Sequence, residues 1–136
     1  MQENARNPAI DIAAGVLSDD SRILFAYLYG SSVTGETGND IDIAVYLKSD
    51  EDPYRISADL KYQIHKKTGL APDAFDIRVL NNLDTESDIF GLLYLKNVLE
   101  NGRILVNKSP DLQADFLERY GSRYRECEGL IREVLA

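Results

Sequence analysis

The chain of 136 residues holds one cysteine and one histidine. A single cysteine excludes an internal disulfide, and with one of each residue no zinc-ligand spacing can be written. That scarcity of thiols is in keeping with a reducing compartment. No run approaches the roughly 18 apolar residues needed to span a bilayer. The opening residues, MQENARNPAI, lack a basic stretch followed by an apolar one, so no signal peptide is expected and the chain is placed in the cytoplasm. Positive charge is also in short supply: 15 Lys and Arg stand against 23 Asp and Glu, a net charge of −8. Such a field repels a polyphosphate backbone, and no Lys/Arg stripe offsets it. A general nucleic-acid binder is therefore disfavoured. A metal-requiring enzyme, or a binder of a basic protein, suits the acidity better.

What is present is ordinary globular material, 44% hydrophobic and 28% charged, enough for one buried core. Asn7-Pro8 opens a helix whose Ile10, Ala13 and Leu17 share a face. SDDS (18–21) is a loop, and RILFAYLY (22–29) is a mostly apolar run ending at glycine, a buried strand. A short helix is expected next. IDIAVYL (41–47) alternates as a second strand. Asp52-Pro53 starts a helix carrying Ile56, Leu60 and Ile64, which should stop at Gly69. AFDIRVL (74–80) is a third strand. A helix over about 86–100 carries Ile89, Leu92, Leu93 and Leu99, and RILV (103–106) is a fourth strand. Pro110 opens a last helix with the stripe Leu112, Phe116, Tyr120, Tyr124, Cys127, Ile131 and Val134. The order predicts an α/β (α+β) domain on a small mixed sheet flanked by helices. Residues 107–111 are the expected hinge between a body, 1–108, and a C-terminal helical arm, 109–136.

Chemistry concentrates in YLYGSSVTGETGNDIDIAVYL (27–47). Asp40 and Asp42 are two apart on a strand, so both face one way, near its solvent end. Two such charges disfavour their own ionisation unless a cation neutralises them. Oxygen donors without His or Cys suit a hard ion such as Mg²⁺. A bare Asp-x-Asp also fits one turn-capping and one solvent-facing residue. A third carboxylate strengthens the metal reading: Asp76, in FDIRVL, shares a face with Arg78 and Leu80, opposite Phe75, Ile77 and Val79. Three carboxylates on neighbouring strands are what a two-cation phosphoryl or nucleotidyl transfer site needs. Gly30-Ser31 ends the preceding strand, where exposed N–H groups can cradle phosphate.

This stretch resembles the signature of the DNA polymerase β-like nucleotidyltransferases, and its length resembles the minimal (MNT-type) members. The resemblance implies a polymerase β-like nucleotidyltransferase fold. It implies that Gly30 and Ser31 bind the phosphates of ATP, and that Asp40 and Asp42 hold two Mg²⁺ ions. Asp76 would complete the metal site and help deprotonate the acceptor hydroxyl, with Asp73, in the loop after Pro72, as the competing candidate. It further implies transfer of AMP to a tyrosine of a HEPN-domain toxin by a protein acting as its antitoxin. Two departures stand out. The loop SVTGETGN between Ser31 and Asp40 is shorter than the family's usual one, with Asn39 where Ser is common. The basic residues that often follow Gly-Ser are replaced by Ser32, Val33 and Thr34, which leaves Lys48 or Arg78 to meet triphosphate charge. A non-catalytic binding antitoxin with a vestigial site, or a small-molecule nucleotidyltransferase that dimerises through its last helix, are the alternatives. His65 is expected as a half-exposed helix residue and Cys127 as packing.

Overall fold

The computed structural model describes residues 8–30, 40–85 and 88–136. Among them the order is helix α1 (Pro8–Asp19), strands β1 (Ile23–Tyr29) and β2 (Ile41–Leu47), helix α2 (Pro53–Thr68), strand β3 (Phe75–Val79), helix α3 (Ile89–Asn101), strand β4 (Arg103–Asn107) and helix α4 (Pro110–Leu135). A 3-10 turn, Pro72–Ala74, leads into β3. The short helix expected between the first two strands falls at 31–39, outside the described residues.

The strands form one mixed sheet in the order β3-β2-β1-β4. β1 pairs antiparallel with β2 and β4, while β2 and β3 run parallel. A parallel pair needs a crossover, and α2 supplies it. Local chemistry fixes that helix: the Asp52 carboxylate accepts from the Tyr54 amide at 3.0 Å, Pro53 takes the first turn, and Gly69 closes the end with a left-handed φ of 76°.

Period-two alternation sorts the strand residues between two cores. On one face Ile41, Ile43, Val45, Phe75 and Ile77 pack with Ile10, Ala13 and Leu17 of α1 and with Ile56, Leu60 and Ile64 of α2. On the other, Phe25, Tyr27, Tyr29, Ala44 and Leu80 meet Leu95 and Val98 of α3 and Phe116 of α4. Phe25 stacks on Tyr46 at 4.7 Å, and Phe116 closes over both rings at 5.6 and 5.0 Å. Arg22 ties the turn after α1 to α2, with Nη2 2.6 Å from both Asp20 and Asp59.

Two helix faces differ from the sequence reading. The buried stripe of α3 is Leu92, Leu95 and Val98, so Ile89 and Leu93 lie off it. That helix starts at Ile89 because the Asp88 carboxylate accepts from the amides of Phe90 and Gly91 at 3.1 and 3.0 Å. In α4 only Phe116 and Ile131 are buried, while Leu112 and Val134, the ends of the expected stripe, are nearly half exposed. At 26 residues this helix is longer than any strand of the sheet, and among the described residues its apolar ends are only partly covered.

Candidate active site

Register places the acidic residues. Asp42 of β2 is opposite Tyr29 of β1 on one side and opposite Asp76 of β3 on the other. Tyr29, Asp42 and Asp76 therefore form a row across three adjacent strands, on the sheet face that α3 and α4 cover. Asp40 precedes the first residue of β2 and is exposed. Asp73 sits in the 3-10 turn, exposed and outside the row.

Gly30 ends the row beside β1 with φ at 73°, a left-handed conformation that side chains rarely adopt. A second constraint acts on the same position. A Cβ added to Gly30 would overlap Oδ2 of Asp42 and stand 3.3 Å from its Cγ. The backbone turn and the carboxylate thus occupy the space a side chain would need. Ser31, the other half of the expected phosphate cradle, lies outside the described residues.

The electrostatics follow from this crowding. Burial, and then the charges of Asp76 and Asp40, push the Asp42 carboxyl above the ordinary carboxylate range, with Arg78 pulling the other way. Arg78 Nε stands 3.3 Å from Oδ2 of Asp76, a half-exposed pair. Its guanidinium lies 5.4 Å from the ring centre of Tyr94. The Tyr94 hydroxyl donates to that of Tyr29 at 2.8 Å, and the two rings meet edge-on at 5.7 Å. Burial raises the Tyr29 hydroxyl above its usual range.

Among the described residues no three His, Cys, Asp or Glu side chains converge tightly enough to enclose a metal ion. The donor chemistry nonetheless fits one. Asp42 is under repulsion from two neighbouring carboxylates, and its donors are oxygen only. Lys48 does not serve the site. It follows Leu47 at the far end of β2, about 20 Å of extended strand from Asp42. His65 is half-buried on α2 with Nδ1 2.7 Å from the carbonyl oxygen of Leu70, a local contact. Tyr29 and Tyr94 were not singled out by the sequence. Tyr29 stands immediately before Gly30, which was the available signal, whereas Tyr94 reaches the site from a helix 65 residues away.

Residues 13–111 match the family model described as Polymerase beta, Nucleotidyltransferase. No curated protein matches the chain. Among solved structures, a toxin–antitoxin crystallised with AMP-PNP superposes with a TM-score of 0.63 at 20% identity, covering 93% of this chain and 98% of that one. An MntA-HepT toxin–antitoxin gives 0.60 at 18% identity, covering 96% and 100%. A complex of a tri-AMPylated Shewanella oneidensis HEPN toxin with its MNT antitoxin gives 0.60 at 19% identity, covering 95% and 98%. At these identities the likeness is one of fold. Among the described residues no helix is long and apolar enough to cross a membrane.

Proposed function

The chain belongs to the polymerase beta nucleotidyltransferase family, and on that premise we propose that it transfers AMP from ATP to a tyrosine hydroxyl of a HEPN-domain toxin, as the antitoxin of a toxin–antitoxin pair. The observation that carries this reading is the row of Asp42 and Asp76 on paired strands, with Gly30 held against Asp42. The complexes of similar fold, one holding AMP-PNP and another a tri-AMPylated toxin, support the choice of nucleotide and acceptor.

Asp40, Asp42 and Asp76 would hold two Mg²⁺ ions, which when bound neutralise charge on the transferring phosphoryl group and the leaving pyrophosphate. Gly30 keeps the backbone slim where phosphates approach, and Ser31 offers them its hydroxyl. Asp76 takes the proton of the acceptor hydroxyl as its oxygen bonds to the α-phosphorus and pyrophosphate departs. Residues 1–108 form the catalytic body in this reading, and 109–136 the arm that meets the partner. Exposed Leu117, Leu130 and Leu135 on α4 give that arm apolar contacts. A net charge of −8 suits a basic partner that handles RNA.

Intact mass of a HEPN-domain partner encoded beside this gene, co-expressed with the wild type or with Asp40→Asn/Asp42→Asn, tests the reading. The expected result is a partner carrying AMP units with the wild type alone. A partner that co-purifies unmodified with both forms would make the chain a binding antitoxin, and no complex with no added mass would remove the paired toxin.

A further inference from the structure

We propose that Arg78 is a positioning residue that serves as the resident counter-cation of the acidic row and holds Asp76 back from a divalent ion until the nucleotide arrives. The inference deepens the proposed function and rests on its metal site. Three observations carry it. Arg78 is in contact with one oxygen of Asp76, 3.3 Å from Nε to Oδ2, so that oxygen is engaged by the protein itself. The guanidinium also lies over the Tyr94 ring, 5.4 Å from its centre. Tyr94 in turn is fixed by its hydroxyl to Tyr29, which is paired with Asp42. A circuit of side-chain contacts, Tyr29–Tyr94–Arg78–Asp76, thus borders the acidic row, with Asp42 joined to Tyr29 and Asp76 through the strand ladder.

An ion that takes Oδ2 of Asp76 must displace Arg78 from it. The displaced guanidinium remains on the Tyr94 ring beside the site, and its charge and planar donors suit an incoming triphosphate. Ion and nucleotide binding are then coupled: Arg78 opposes the ion bound alone and assists the ion bound with nucleotide.

The test is Mn²⁺ binding to the full chain, followed by the ion's electron paramagnetic resonance signal with and without a non-hydrolysable ATP analogue. Arg78→Gln is expected to tighten Mn²⁺ binding without nucleotide about three- to tenfold, the scale of removing one nearby positive charge at a solvent-facing site. The same variant should bind the analogue more weakly. Arg78→Lys, which keeps the charge, should return both values towards wild type. With Arg78 more than half exposed, these variants leave the core intact. Unchanged or weaker Mn²⁺ binding by Arg78→Gln, with wild type still binding and Asp42→Asn not, overturns the role of Arg78 and leaves the metal site standing. No Mn²⁺ binding by wild type or Arg78→Gln overturns both.

Discussion

Two glycines with nearly the same backbone allow strain and site geometry to be separated. Gly30 and Gly69 have φ values of 73° and 76°. A Cβ at Gly69 meets nothing within 4 Å, whereas one at Gly30 overlaps the Asp42 carboxylate. Alanine at either position costs about 1–2 kcal/mol for the left-handed conformation. For a chain of this size that corresponds to a drop in Tm of roughly 3–8 °C. In Gly30→Ala the Asp42 carboxylate must also swing out of the row. That motion is cheap in stability, because it moves the end of a side chain, and costly to any ligand that needs the carboxylate in place. Urea unfolding is therefore expected to show comparable losses for the two variants. Mn²⁺ affinity is expected to fall about tenfold or more, or roughly 1.4 kcal/mol, in Gly30→Ala alone. If Gly30→Ala binds Mn²⁺ as wild type does, the contact with Asp42 is without consequence and the reasoning from the row fails.

Acid should act through Asp20, whose carboxyl is held below its ordinary value chiefly by the hydrogen bond from Arg22. A depressed folded-state pKa stabilises fully above the unfolded value, near pH 4, and this stabilisation is lost as the pH falls through the folded value. The difference in Tm between wild type and Asp20→Asn should thus be constant from pH 7 to 5 and shrink below about pH 4. Gly129 lies inside α4 with open space where a Cβ would go. Gly129→Ala should stabilise the chain by about 0.5–1 kcal/mol in denaturant titrations.

The strands and the acidic row were legible because alternation records which face a residue takes. Asp42 and Asp76 each sit among apolar residues that face the opposite way, so their common side could be read before any register was known. The face of α3 was not legible in the same manner. Its IFGLLYL segment has almost no polar residue, and a helix apolar all round gives no contrast from which to choose a side. The α4 stripe meets a different limit: period 3.6 identifies an apolar face but not how much of it the chain can cover. The circuit through Tyr94 depends on a helix docking far from the signature in sequence, and pattern alone carries no trace of such a contact. Lys48 shows the converse error. It is close to the signature along the chain, but the strand carries it to the opposite end of the sheet.

The parallel pairing of β2 and β3 acts as a ruler. Distance between the two carboxylates is set by the ladder, and the ladder is clamped from behind by a helix whose Ile56, Leu60 and Ile64 pack on the opposite sheet face. A slip of one residue would turn an aspartate into the apolar layer, so intermediate spacings are not available. The segment from 31 to 39 can then lose or gain residues without altering that spacing. On the proposed function, nucleotide choice and carboxylate spacing would then rest on separate parts of the chain, and the first could drift while the second stays fixed.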